Sequence, residues 1–80
     1  MFNQFILYGK LIEAADGYIV VEVRKLDGET KDTFAIRVGE FLMDYTEQLV
    51  GKYVMVKGHL RDTHTRSVEL QAERICSQGE

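Results

Sequence analysis

The chain has 80 residues, of which 13 are acidic and 10 basic, and its formal net charge is −3 at pH 7. A chain this short forms one domain at most and buries only about 60% of the surface that it exposes when unfolded. Its single cysteine, Cys76, excludes an internal disulfide, and no apolar run reaches the roughly 18 residues of a membrane helix. We therefore expect a cytoplasmic domain over residues 1–76, a short tail over residues 77–80, and support from tight packing or partner subunits.

The first predicted strand covers the apolar run FILYGKLI, residues 5–12. Alternation at period two gives this strand two apolar sides. One side carries Phe5, Leu7 and Leu11, and the other carries Ile6, Tyr8 and Ile12. Gly9 in the middle predicts a bend, which would let the strand belong to both halves of a barrel.

Two Asp-Gly pairs, Asp16-Gly17 and Asp27-Gly28, predict tight hairpin turns on either side of a second strand. In that strand Ile19, Val21 and Val23 face one way, whereas Tyr18, Val20, Glu22 and Arg24 face the other. In the third strand Phe34, Ile36 and Val38 face inward, with Ala35 and Arg37 outward. Three strands joined by two tight turns form an antiparallel meander.

The periodicity then becomes helical in EFLMDYTEQLV, residues 40–50. The spacing predicts a helix of about three turns that begins at Gly39 or Glu40 and ends at Gly51. Its apolar face is formed by Phe41, Leu42, Tyr45 and Leu49.

A fourth strand follows in GKYVMVKGHLRD, residues 51–62, with Val54, Val56, Gly58 and Leu60 on its inward side. Its outer side mixes rings, a thioether and cations: Tyr53, Met55, Lys57, His59 and Arg61. After the polar turn DTHTR, the fifth strand SVELQAERI has Val68, Leu70 and Ala72 inward.

The predicted order β-β-β-α-β-β indicates the fold class. A helix between the third and fourth of five short strands is typical of the OB fold, an all-β Greek-key barrel whose one helix plugs an end. The glycines in the first and fourth strands agree with a closed barrel.

Three segments resemble the bacterial single-stranded-DNA-binding proteins of replication and repair. MFNQFILYGKL is similar to that family's start, a Met, Asn and aliphatic run ending in Val-Gly-Arg-Leu. DTFAIRV stands where the family has an Asp-Phe strand, and LVGKYVMVKGHLRD is close to its Lys-Gly-Ser-Leu-Val-x-Val-x-Gly-Arg-Leu segment. The resemblance covers most of the chain and implies sequence-tolerant binding of single-stranded DNA, or RNA, and assembly through the first strand.

The chain also departs from this family. It has no tryptophan, whereas the family stacks bases on tryptophans, and its hairpins are cut to DGET and DTHTR. We expect no acidic tail that recruits partner proteins. A reduced paralogue, or a primosome-type relative with the same barrel, therefore fits the sequence better than a partner-recruiting housekeeping protein.

The residues predicted to contact nucleic acid are one ring and several cations. Strand faces of an OB barrel bind single strands by stacking, at about 1–3 kcal/mol per base, and by a cationic groove. Tyr18 is the candidate for stacking, and the candidate phosphate contacts are Arg24, Lys31, Arg37, Lys57, Arg61 and Arg66, with His64 in the same loop as Arg66. The alternative for the cations is an ordinary solvated surface.

The second apolar side of the first strand predicts contact with another copy of the chain. A barrel interior takes only one face of a strand, so Ile6, Tyr8 and Ile12 have no place in it. We expect a homo-oligomer, a dimer or a tetramer built from dimers, with this strand at a two-fold contact. Tyr53, Met55 and His59 on the neighbouring fourth strand would widen that contact.

No arrangement of residues indicates catalysis, a cofactor or a metal. His59 and His64 are five positions apart with Asp62 between them, which matches no zinc pattern. The rival to nucleic-acid binding is therefore a protein-interaction barrel that has lost it. The acidic total supports this rival, as do four acidic residues near the predicted platform: Glu13, Asp16, Glu22 and Glu29.

Overall fold

The computed structural model describes residues 3–62 and 68–77. Within them the elements follow the predicted order: β1 (Gln4–Ala15), β2 (Tyr18–Arg24), β3 (Lys31–Arg37), α1 (Glu40–Glu47), β4 (Tyr53–Asp62) and β5 (Val68–Ser77). The strands close into a barrel in the spatial order β1-β2-β3-β5-β4. The β3–β5 pair is parallel and the other pairs are antiparallel. The predicted OB barrel with one helix is confirmed.

The barrel core consists of the inward apolar side chains, as alternation predicted for most strands. Ten of them are at most 6% exposed: Leu11, Ile19, Val21, Ile36, Val38, Leu49, Val54, Val56, Ala72 and Ile75. Phe5, Leu7, Val23 and Phe34 pack against this cluster while remaining partly exposed. The inward sides predicted for β1, β2 and β3 are therefore confirmed.

Strand β1 belongs to both halves of the barrel. Its residues from Gln4 to Lys10 pair with β4, and those from Lys10 to Ala15 pair with β2. The exchange of partners occurs beside Gly9, where an added Cβ would overlap the carbonyl oxygen of Glu22 and lie 2.7 Å from Cγ1 of Val21. A glycine is needed here because the bent strand passes so close to β2.

The two hairpin turns differ in length. At the first, Asp16 and Gly17 have φ of 56° and 81°, the two-residue turn that Asp-Gly predicted. The second is wider than the predicted tight turn, because the N–H of Lys25 donates to the carbonyl of Thr30 at 2.8 Å across a four-residue tip. The Asp27 carboxylate stabilises the wider loop by accepting the N–H of Thr30 at 2.8 Å, the N–H of Glu29 at 2.9 Å and the Thr30 hydroxyl.

We expect this loop to loosen in acid with a midpoint below pH 3.8, the ordinary pKa of its carboxyl group. The Thr30 hydroxyl, then the amides of Thr30 and Glu29, lower the pKa of Asp27 by bonding to its charged form. Because the folded-state pKa is the lower one, the stabilisation is complete above the unfolded-state value and disappears as pH falls through the folded-state value. The NMR shift of the Thr30 amide measures the midpoint. Asp27→Asn should abolish the titration, and a midpoint at or above pH 3.8 would contradict the expectation.

The helix is shorter than predicted, and its buried face is partly different. It has eight residues, and the chain then turns to Gly51, whose φ is 92°. Phe41 is 101% exposed and Tyr45 41%, so these two residues of the predicted apolar face lie at the surface. Thr46 is buried instead, because its hydroxyl donates to the Met43 carbonyl at 2.8 Å and so hides its polar group. No helix in the described ranges is long and apolar enough to cross a membrane.

One predicted inward residue of β5 is also wrong. Val68 is 62% exposed at the start of the strand, beside Leu60, which is 39% exposed at the rim. A bulge explains the rest of the strand: Lys57 lies opposite Arg74 but the next residue, Gly58, lies opposite Ala72. The extra residue restarts the alternation, so Ile75 points into the core although it is three positions from Ala72.

Candidate nucleic-acid interface

The outward residues of β2 and β3 form one surface, which we call the β2/β3 face. It consists of Tyr18, Val20, Glu22, Arg24, Lys31, Thr33, Ala35 and Arg37. The antiparallel register sets Tyr18 opposite Arg37 at one end and Arg24 opposite Lys31 at the other. The structure therefore brings together four of the seven residues predicted to contact nucleic acid.

Tyr18 and Arg37 make a cluster with Glu69 of β5. The Tyr18 hydroxyl donates to Oε1 of Glu69 at 2.7 Å, and Nη1 of Arg37 donates to the same hydroxyl at 3.2 Å. The Arg37 guanidinium carbon lies 5.6 Å from the centroid of the Tyr18 ring, within cation–π range. Arg37 Nη1 is also 3.9 Å from Glu69 Oε1. This cluster fixes both a ring and a cation at one end of the β2/β3 face.

Glu69 is the site residue that sequence reasoning missed. Alternation places Glu69 on the outward side of its strand, where a carboxylate is usually solvated, and it is 51 positions from Tyr18 in the sequence. The link exists because β5 runs parallel to β3, with Ile36 opposite Leu70. No local pattern predicts that register, although the Greek-key order of the strands makes β5 a neighbour of β3.

Carboxylates also neutralise other cations on and near the β2/β3 face. Lys31 Nζ lies 3.4 Å from Glu22 Oε1, and Lys25 Nζ lies 3.5 Å from Asp32 Oδ1. Arg24 makes no ion pair within residues 3–62 and 68–77. The outward residues of β2 and β3 thus carry three cations against one carboxylate, Glu22, and Glu69 adds a second from β5.

The remaining predicted phosphate contacts lie elsewhere. Arg61 is on β4 opposite Glu69, so it is separated from Arg37 only by β5. Lys57 lies further round the barrel, opposite Arg74 on one side and Ile6 on the other, away from the β2/β3 face. Arg66 and His64 fall outside the described residues.

The residues predicted to form an oligomer contact lie on a second surface. Tyr8 is opposite Met55, and Lys10 is opposite Tyr53, so the rings and the thioether are neighbours. We call Ile6, Tyr8, Tyr53 and Met55 the β1/β4 patch; Ile6 is 64% exposed, Tyr53 59% and Tyr8 58%. Ile12 and His59 lie at its margins.

The margins of this patch differ in character. Ile12 is the extra residue of a β1 bulge and is 39% exposed. His59 Nδ1 lies 3.0 Å from Oε2 of Glu73, which gives that ring a partner within the chain. Lys57 and Arg74 face each other across β4 and β5, so cations border the patch on this side.

The described residues form no metal site, but some of them line an open cavity. Among the residues that the structure describes, no group of three His, Cys, Asp or Glu side chains is placed to hold a metal. An open cavity of about 340 Å³ adjoins the Arg37 end of the β2/β3 face. It is lined by Gly17, Arg37, Val38, Gly39, Glu40 and Met43.

No protein-family model matches this sequence, and no curated protein matches it. Solved structures of other proteins share its fold. The N-terminal domain of PriB from Thermoanaerobacter tencongensis, whose structure is dimeric, is 25% identical, covers 98% of both chains and has a TM-score of 0.76. The mitochondrial single-stranded-DNA-binding protein Rim1 of S. cerevisiae is 12% identical, covers 98% of this chain and 94% of its own, and has a TM-score of 0.71. At the level of fold, the resemblance inferred from the sequence is confirmed.

Proposed function

We propose that this chain is a non-catalytic binding module for single-stranded DNA, acting in the cytoplasm in DNA replication or repair. The observation that carries the proposal is the register of β2 and β3, which places Tyr18 and three cations on one outer face of an OB barrel. The structural similarity to a single-stranded-DNA-binding protein supports the same ligand. RNA is the alternative ligand, because stacking and phosphate contacts do not distinguish the two sugars.

The geometry supports sequence-tolerant binding. Every base has a π-face, so a base that stacks at Tyr18 gains contact whatever its identity. The Arg37 guanidinium beside the ring adds a second plane on which bases stack. Arg24 at the far end of the face has no carboxylate partner in the described chain and is available to a phosphate.

Titration with a labelled dT oligomer tests the proposal. We expect the wild-type chain to bind more tightly than about 100 μM at low salt, since even non-specific binders reach roughly 10⁻⁴ to 10⁻⁶ M at physiological salt. Tyr18→Ala should weaken binding by about 1–3 kcal/mol, the energy of one stacked base. This corresponds to a loss of roughly 5- to 150-fold.

Tyr45→Ala is the matched control, because Tyr45 is 41% exposed on the helix and is not part of the β2/β3 face. Its affinity should equal that of the wild type. Wild-type binding weaker than about 100 μM at low salt, or equal losses in the two variants, would contradict the proposal.

A protein-interaction barrel is the second candidate, and the internal ion pairs favour it. Glu22 and Glu69 lie within 4 Å of cations that a phosphate would need. If these ion pairs persist in solution and the titration with the dT oligomer shows no binding, the protein-interaction barrel replaces the nucleic-acid-binding module as the proposed function. The positive excess on the β2/β3 face supports the nucleic-acid proposal over it.

We further propose that the chain assembles with copies of itself through the β1/β4 patch. The exposure of Ile6, Tyr8 and Tyr53 supports this, because exposed apolar patches mark contact sites and tyrosine is enriched in interfaces. The dimeric state of the PriB domain is consistent with it. Lys57, which is opposite Ile6, and Arg74 would then lie at the hydrated rim of the contact, because burying two facing cations without partners is costly.

A further inference from the structure

We propose that Glu69 competes with nucleic-acid phosphate for Arg37 and thereby limits the affinity of the β2/β3 face. This inference rests on the proposed function. It assigns a role to a residue of β5 that lies outside that face and has the charge of the ligand rather than of the binding surface.

The contacts of Glu69 are those that a phosphate oxygen would make. Its Oε1 accepts the Tyr18 hydroxyl at 2.7 Å and lies 3.9 Å from Nη1 of Arg37. A carboxylate is planar and a phosphate is tetrahedral, but both present negatively charged acceptor oxygens. Guanidinium groups bind both with charge-assisted hydrogen bonds. A phosphate and the Glu69 carboxylate therefore cannot both hold Arg37 without bringing two negative charges together.

Burial strengthens the internal contact. The Glu69 side chain is 19% exposed, whereas that of Arg37 is 48% exposed. The carboxylate is thus partly shielded from water, where its attraction to the guanidinium is screened less than at an open surface. A phosphate can approach the exposed side of Arg37 from solvent, but the negative charge of the Glu69 carboxylate repels it.

The position of Glu69 among the strands extends its effect. It lies between Arg61 on β4 and Arg37 on β3. Arg61 makes no ion pair in the described part of the chain. Without the Glu69 charge, Arg61 and Arg37 would form a positive row across β4, β5 and β3 that ends at Tyr18. The carboxylate interrupts that row.

The test uses Glu69→Gln in the full chain, with the labelled dT oligomer titrated over a range of salt concentrations. The amide keeps the size of the side chain and can still accept the Tyr18 hydroxyl. We expect binding to tighten by about 2- to 5-fold at low salt. The slope of the logarithm of the binding constant against the logarithm of the salt concentration should steepen by roughly 0.7. This is the value for one additional phosphate contact on a single strand.

Glu13→Gln is the matched control. Glu13 is an exposed carboxylate on β1 beside the β2/β3 face, opposite Val20, and it makes no ion pair within residues 3–62 and 68–77. The Glu13→Gln substitution removes the same charge without freeing a cation. Any gain in affinity for the dT oligomer should therefore be smaller, and the salt dependence of binding should be unchanged. In a Glu69→Gln, Arg37→Gln double variant the gain and the steeper slope should both disappear.

The outcomes separate this inference from the proposed function. If Glu69→Gln and Glu13→Gln raise the affinity equally and have the same salt dependence, only net charge matters. That result overturns this inference and leaves the proposed function standing. Weaker binding by a folded Glu69→Gln chain means that Glu69 positions Tyr18 for the ligand, and this also overturns it alone. If neither the wild type nor Glu69→Gln binds, the inference and the proposed function both fail.

Discussion

Gly58→Ala should destabilise the barrel more than alanine at any other glycine that the structure describes. A Cβ at this position would overlap the carbonyl oxygen of Gln71 and lie 2.9 Å from its carbonyl carbon and from Cε2 of Phe5. Two of these atoms belong to the backbone of β5, which cannot rotate away as a side-chain end can. Overpacking typically costs about 1–3 kcal/mol, and we expect the upper end or more here.

Thermal unfolding measures this effect. In a domain of this size each kcal/mol shifts Tm by about 4–8 °C, so we expect a fall of at least roughly 12 °C or loss of the folded state. Gly39→Ala is the control: its φ is −71° and no atom lies within 4 Å of an added Cβ. That change should cost at most about 1 kcal/mol, since the residue is an N-cap without a side-chain bond. Similar Tm values for both variants would show that β4 and β5 do not approach each other as described.

The double substitution Ile6→Glu, Tyr8→Glu should split the proposed oligomer while leaving the barrel folded. Both side chains point away from the core and are more than half exposed in the single chain, so the barrel does not depend on them. In an assembly each aliphatic side chain removed from water contributes about 1.5–3 kcal/mol. A two-fold axis would also bring the new carboxylates of two copies close together, which adds repulsion.

Light scattering at micromolar concentration decides the result. The wild type should have at least twice the mass of the 9.2 kDa chain, and the double variant should have the monomer mass. Leu26→Glu, Phe41→Glu is the matched control, because these apolar residues are 108% and 101% exposed away from the β1/β4 patch. It should leave the assembly intact. A wild type that is monomeric, or an oligomer that survives the first pair of changes, would contradict the proposed contact.

The fold and the directions of most strand residues could be predicted from the sequence, because they depend on local features. Alternation at period two is a property of neighbouring residues, so the inward sets of β2 and β3 followed directly from it. Asp16-Gly17 determined the first turn because the two-residue turn needs positive φ at both positions. Gly9 and Gly58 likewise marked the places where strands come close, as the overlaps at an added Cβ show.

The misplaced residues depend on particular hydrogen bonds and on strand register, neither of which follows from hydrophobic periodicity. Thr46 is buried in place of Phe41 because a hydrogen bond to the Met43 carbonyl hides its hydroxyl. Val68 is exposed because it begins β5 at the rim of the barrel, and Ile75 is buried because the β5 bulge after Ala72 shifts the alternation by one residue. The second hairpin is wide because the Asp27 side chain supplies bonds that a tight turn would not use.

The candidate site depended most on tertiary structure. The sequence determined that Tyr18 and Arg37 share an outward side of their strands, since alternation assigns the side of each residue in a strand without a bulge, such as β2 or β3. Only closure of the barrel decided that Glu69 reaches Tyr18 from 51 positions away and also lies near Arg37, and that Lys57 lies on a different surface. The physical reason is that side-chain direction is set within a strand, whereas charge pairing is set by register between strands that are distant in the chain.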